Sequence, residues 1–264
     1  MPAGQEWRRK DPLRDGAAML VYNALNYRNI PGDFGLPIEI LYRRADQDPI
    51  PREVVVRAAN RAARRNAPLV LDLEYPLPEA SPLGVSVMLA KCRQAARWAK
   101  QVQPRTRLGI YQVPDAFGRS LVNRYAQASS SALGFAVLWQ LVRGSATAGA
   151  TYPYFKDIPS EALINDLDLL CPSFYAYEPA EVWLDACDAM VDLIRRICGD
   201  ARPLIPFLTP INWRVRPAVP WDEGFWREQL EFCSRRCDGI ILWHSDNSIF
   251  DPNAAWVREL RRWM

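Results

Sequence analysis

Short apolar runs alternate with amphipathic stretches along most of the chain. The runs Met19–Leu25, Ile38–Tyr42, Leu69–Glu74, Arg107–Gln112, Asp168–Tyr175, Pro203–Leu208 and Gly239–Trp243 have the length and side chains of buried strands. Between them lie helix-like segments. Arg52–Arg65 opens after a proline, and Leu83–Gln101 follows Ser81-Pro82, a favourable cap and first-turn pair. Glu181–Cys198 spaces Val182, Ala186, Ala189, Leu193 and Ile197 as one face of a helix packed on a sheet. Phe225–Arg236 and Asn253–Trp263 behave similarly. Strand followed by helix, repeated, predicts a parallel sheet. Seven strands are evident. Within Arg119–Gly144 an eighth could lie at Gly134–Gln140, but the segment reads as mostly helical. The expected fold is therefore α/β, a single distorted TIM-like (β/α) barrel of seven strands over residues 1–264, with 1–17 a flexible extension.

Composition narrows this picture only a little. A chain of 264 residues that is 49% hydrophobic can bury a full core in one domain, and a length near ~250 suits a (β/α) barrel. The formal charge of +3 implies no strong attraction to a polyanion, so no nucleic-acid partner is expected. Arg57, Arg61, Arg64 and Arg65 share one predicted helix and read as its solvated face, with an anionic-polymer contact as the alternative. No apolar run approaches the ~18–20 residues of a membrane span. Met1 to Asp15 holds no apolar signal-peptide core, which leans toward a cytoplasmic address while leaving open secretion with a signal outside this sequence. The oligomeric state stays open.

Six cysteines fall mostly on predicted helices and look like reduced, buried small side chains. With no CxxC pair and a single histidine, no zinc site of the usual kind is expected. Cys233 and Cys237 share a helix face and could bind a metal with a third partner, although amphipathic packing accounts for them. Neither GxGxxG nor GxxxxGK[ST] occurs, so no nucleotide cofactor is expected. Prolines cluster at the strand-to-helix junctions, which form the functional rim of a (β/α) barrel.

The chemistry concentrates at Leu69-Val70-Leu71-Asp72-Leu73-Glu74. A buried strand gains nothing from unpaired acids at its end. Alternation places Asp72 and Glu74 on the same side, their Cα atoms about 6.5–7 Å apart. Two carboxylates held together push their pKa values apart, leaving one ionised and one protonated near neutrality. Acid-assisted cleavage of a glycosidic bond needs that pair; an arginine ion pair or an acidic metal ligand are the other readings. In a barrel the strand ends would add Tyr22, Asn23, Tyr42, Tyr111, Gln112, Asp115, Tyr175, Tyr177, Asn212, Trp213, Trp243 and His244. Aromatic faces stack on pyranose C–H surfaces, and phenols and amides address hydroxyls. Trp98, Trp183, Trp226 and Trp256, in mid-helix, are expected to be core. His244 is expected at the rim as a hydrogen-bonding residue; no GxSxG elbow accompanies it.

Taken in order, these segments resemble the hyaluronidase family of substrate-assisted glycosidases. MLVYNAL resembles its opening strand, LVLDLEYPLP its Asp-x-Glu strand and LGIYQVPD its Gly-Tyr-Tyr-x-x-Pro strand. LLCPSFYAY resembles its Pro-Ser-x-Tyr strand, PLIPFLTPINW the strand before its last helix, and CDGIILWHS its final Gly-x-x-x-Trp strand. The resemblance implies a distorted seven-stranded barrel with Glu74 as proton donor and Asp72 orienting the reacting acetamido group. It implies further that Tyr175 holds that group and Trp243 closes the pocket. The pattern departs from the family at Leu73, Tyr75, Pro76 and at Ala116-Phe117-Gly118, and the family's disulfide pattern is missing.

The expected activity is thus a retaining, substrate-assisted glycosidase acting on a polysaccharide with N-acetylhexosamine, without cofactor or metal. Catalysis is expected from Glu74, Asp72 and Tyr175. Tyr22, Asn23, Tyr111, Asp115, Tyr177, Trp213 and Trp243 are expected to bind substrate. Two other classes stay open: a divalent-metal hydrolase or lyase using Asp72, Glu74 and Asp115 as oxygen ligands, and a carbohydrate-binding barrel without turnover.

Overall fold

The computed structural model describes residues 18–44, 50–74, 82–111, 163–176, 180–212, 215, 217–244 and 248–264. Strand β1 (Val21–Leu25) runs parallel to the late strand β9 (Ile240–His244), with Val21 opposite Ile240 and Leu25 opposite His244. Next in sequence come β2 (Leu36–Pro37) and β3 (Glu39–Arg44), one extended run interrupted at Ile38. Its first two residues pair with β1, and the remainder pairs in parallel with β4 (Leu69–Glu74) from Glu39 opposite Leu69 to Arg44 opposite Glu74. Strand β5 (Leu108–Ile110) lies on the far side of β4, and β6 (Phe207–Leu208) lies beside β9. Single bridges then link Tyr111 to Cys171, Leu170 to Leu204 and Ser173 to Phe207.

Hydrogen bonding thus divides the parallel strands into a four-stranded set, β2-β1-β9-β6, and a three-stranded set, β3-β4-β5. Two of the expected strands are only partly regular. The run 168–175 makes isolated bridges, because Pro172 offers no N–H to a ladder. In 203–208, Pro203 and Pro206 confine the regular strand to Phe207–Leu208. The close approach here also requires glycine in β5, since a Cβ on Gly109 would stand 2.7 Å from Cys171 Sγ. A short antiparallel hairpin, β7 (Ile211–Asn212) with β8 (Val219–Pro220), lies outside the strands that the apolar pattern predicts.

The helices cover one side of these strands. Helix α1 (Arg52–Arg64) buries Val55, Ala58, Ala59 and Ala62 and exposes Arg57, Arg61 and Arg64, as its pattern predicts. Helix α2 (Pro82–Val102) packs against it. Helix α3 (Ala180–Cys198) turns differently from expectation. Val182 is 45% exposed, and the buried side is Trp183, Cys187, Met190, Val191, Ile194 and Cys198. Those six follow the same helical spacing one position later and carry the larger side chains, so the greater apolar area wins the core. Helix α4 (Glu223–Arg236) is capped by Asp222, whose carboxylate accepts the Phe225 N–H at 2.9 Å. Helix α5 (Ala255–Arg261) follows β9, and the Met19 N–H donates to the Trp263 carbonyl at 2.8 Å.

Two apolar cores result. The outer one lies between strands and helices and takes Leu69, Leu71, Leu108, Ile110, Leu204 and Leu242. The inner one joins the opposite faces of the same strands: Tyr22, Ile38, Val70, Tyr111, Leu169, Cys171, Tyr175, Ile205, Phe207 and Ile241.

Candidate functional site

Strand β4 shows how the site is built. Leu69, Leu71 and Leu73 point outward to the helices, while Val70 joins the inner core. Two residues beyond Val70, Asp72 takes the same inward register and is 4% exposed, opposite Tyr42 of β3. Position 74, the last of the strand and paired with Arg44, continues that register; the side chain of Glu74 lies outside the described residues.

An aromatic wall stands in the same interior. Tyr175 lies 5.8 Å from Trp243 and 6.1 Å from Tyr111, centroid to centroid, both pairs tilted. Tyr111 meets the edge of Phe207 at 4.7 Å, and its O–H donates to Ser173 Oγ at 3.2 Å. Contacts of this kind fix ring orientation as well as burying area. Tyr175 and Tyr111 are buried, whereas Trp243 is half-buried.

Trp243 also lines a cleft of about 550 Å³ between β1 and β3, where the 36–44 run has turned from one neighbour to the other. Asn23, Ala24, Asn26, Ile38, Ile40 and Tyr42 share its wall. Tyr42 is 44% exposed, which leaves its ring accessible. The Asn23 side-chain carbonyl accepts the Leu25 N–H at 3.0 Å, so its amide is oriented by its own strand. Glu39 and Arg65 line the cleft as well. Glu39 is buried and paired with Arg61 at 2.6 Å and Arg65 at 3.3 Å, the compensation a buried carboxylate requires.

The structure thus brings Asp72, Tyr111, Tyr175 and Trp243 onto inward faces, with Asn23 on the adjoining cleft. It places two residues elsewhere than the expected rim. Tyr22 is 2% exposed within the inner core, where its hydroxyl accepts from the Arg107 guanidinium at 3.3 Å. Ala24, one inward position further along β1, lines the cleft instead. His244 is 5% exposed and packs against Tyr27 at 5.4 Å in a cluster with Phe250 and Trp256. It follows Trp243 directly, so alternation turns it to the opposite face. Gln112, Asp115, Tyr177 and Trp213, and the 119–144 segment, lie outside the described residues. Ser173 and Phe207 join the wall without having been singled out; Ser173 was legible as the residue two before Tyr175 on the same face.

The remaining chemistry is away from these residues. Among the described residues no group of three or more His, Cys, Asp or Glu is arranged to hold a metal. None of the six cysteines, all of them among the described residues, is joined in a disulfide. Burial pushes the Cys92 thiol up to about 12 and that of Cys198 up to about 11, the latter against the opposing pull of Arg202 and Arg195.

No family model matches the chain, and no curated protein matches it. Solved structures do. Bee venom hyaluronidase superposes with a TM-score of 0.55 at 12% identity, over 92% of this chain and 95% of that one. The chain shares the fold of that enzyme. The same venom enzyme in complex with a hyaluronic acid tetramer gives a TM-score of 0.49 at 12% identity, over 92% and 83% of the two chains. A fungal β-1,4-galactanase gives 0.40 at 11% identity, over 86% and 87%.

Proposed function

We propose that this chain is a retaining, substrate-assisted glycosidase that cleaves a polysaccharide containing N-acetylhexosamine. The observation that carries the reading is a buried carboxylate, Asp72, in register with Glu74 on β4, inside a set of strands whose inward faces also present Tyr175 and Trp243. The shared fold with a venom hyaluronidase supports it. In the proposed architecture β1, the 36–44 run, β4, β5, the 170–173 segment, β6 and β9 stand as seven staves of one distorted barrel. The ladders and single bridges between successive neighbours support that order.

In the proposed reaction Glu74 gives its proton to the leaving glycosidic oxygen. The substrate's acetamido oxygen attacks the anomeric carbon as that bond breaks, so no second carboxylate nucleophile is needed. Asp72, ionised, stabilises the positive charge that grows on the acetamido nitrogen. Glu74 then takes a proton from the water that opens the cyclic intermediate, restoring the enzyme and retaining configuration. Tyr175 holds the acetamido group in attack geometry, and Trp243 closes the pocket over the sugar. Asn23 and Tyr111 contribute polar contacts, and Asp115, Tyr177 and Trp213 extend the binding surface.

Release of reducing ends, measured over a panel of purified glycans, tests this. Turnover is expected on N-acetylhexosamine polymers, with unchanged rates after exhaustive dialysis against EDTA. Hydrolysis confined to glycans lacking an acetamido group would sink the substrate-assisted mechanism. Rates restored only by Mg²⁺ or Mn²⁺ would replace it with the metal-dependent reading.

A further inference from the structure

Away from the strand interior, the seam between α3 and α4 gathers three thiols. Cys187 comes from α3 and is buried; Cys233 is fully buried on the last turn of α4; Cys237, the residue that ends α4, is half-buried. Cys233 and Cys237 lie one turn apart at the end of α4, and α3, which carries Cys187, packs against α4. The Cys237 N–H still donates to the Cys233 carbonyl at 2.9 Å, an α-helical bond. Four residues of helix separate the two Cα atoms by about 6.2 Å, inside the range of about 4.4–6.8 Å that a disulfide spans. A regular helix would hold the two Cβ atoms too far apart. Cys237 has already left helical geometry, at φ −122° and ψ 167°, so its side chain can swing without unwinding α4.

We propose that Cys233 and Cys237 form a peroxide-reactive dithiol that oxidises to a disulfide at the C-terminal end of α4. Exposure orders the steps. Cys237, the accessible thiol, reacts first as its thiolate, attacking one oxygen of a hydroperoxide. The O–O bond breaks and the departing alkoxide or hydroxide leaves as alcohol or water, with Cys237 now a sulfenic acid. Cys233 then attacks the Cys237 sulfur; its proton and the departing hydroxide leave as a second water. Two thiols are oxidised by two electrons, and the hydroperoxide is reduced by the same two. Cys233 is placed for the second role because it is closed to solvent and lies one helical turn from Cys237, so peroxide meets Cys237 first. Cys92 and Cys198, on other elements, are internal controls.

The test begins with the unaltered chain. The intact chain, fully reduced, is exposed to graded hydrogen peroxide, blocked with an alkylating reagent and digested with trypsin without reductant. Arg235 and Arg236 lie between the two cysteines, so cleavage there leaves their peptides joined only if the disulfide exists. The expected result is that linked pair, two hydrogens lighter than its parts and separated by dithiothreitol, at peroxide levels that leave Cys92 and Cys198 alkylated. In Cys233→Ser, a dimedone adduct should accumulate on Cys237 in its place. A Cys187 link to either residue, a Cys237 adduct in the wild type without the linked pair, or oxidation of Cys92 and Cys198 at equal doses would each overturn the proposal.

Discussion

The two faces of β4 carry opposite kinds of information. Its outward residues, Leu69, Leu71 and Leu73, are interchangeable in chemistry and differ only in fit, because the helices ask of them nothing but apolar volume. Its inward residues change character along the strand, from Val70 in a closed core to the buried carboxylate of Asp72, opposite Tyr42. The same change runs up the neighbours: Ile241 gives way to Trp243 on β9, and Cys171 to Ser173 and Tyr175 on the bridged segment. One face is apolar throughout, and the other grades from apolar to polar over two residues. The two ought to separate when they are mutated.

The largest effect is expected from Glu74→Gln, which keeps the shape of the side chain but cannot donate a proton. Turnover should fall about 10²–10⁴-fold with the thermal midpoint unchanged, and Asp72→Asn should be severely impaired as well. If both variants instead lose activity in step with folded fraction, the inward acids are structural and the contrast collapses. On the outward face, Leu71→Ala empties a fully buried site and should cost about 2–5 kcal/mol. Activity per folded molecule should hold, as denaturant titration beside kinetics would show.

Tyr175→Phe probes the boundary between the two kinds of residue. It removes one hydroxyl from a ring packed between Tyr111 and Trp243, so turnover should drop about tenfold while binding and stability change little. A raised KM with unchanged kcat would make Tyr175 a plain binding residue. The smallest effect is expected far from the cleft. Glu259 on α5 is buried against Arg227 at 3.0 Å and Arg262 at 2.6 Å. Burial raises its carboxyl, but the two guanidiniums outweigh this and hold it below the ordinary value. Its stabilisation is therefore complete above the unfolded-state pKa and fades as pH falls through the lower folded one. Glu259→Gln should cost about 1 kcal/mol near neutrality, limited by two half-exposed arginines, and the difference from wild type should vanish in acid melts.

How far the sequence could be read follows from the same contrast. Long elements with a strong period were legible: Leu69–Glu74 is a strand to the residue, and α1, α2 and α4 begin and end within two or three residues of expectation. Alternation also put Asp72 and Trp243 on inward faces. It fixes the side of a strand but not the height at which the interior closes, so Tyr22 was placed at the rim although Arg107 meets it deeper in. The alternation that turns Trp243 inward turns His244 outward to Tyr27, away from the rim. On α3 two apolar stripes lie one residue apart, and only the packing of Trp183 against Phe225 and Phe232 chooses between them. The β7–β8 hairpin is too short to show any period.

The ladder between β1 and β9 has a consequence for biosynthesis. Val21 pairs with Ile240, so all the residues between them have to leave the ribosome before this seam can close. Contacts so distant in sequence slow folding and keep a strand edge open to other chains in the interval. The β1 segment is therefore where a nascent copy of this protein would first need a chaperone.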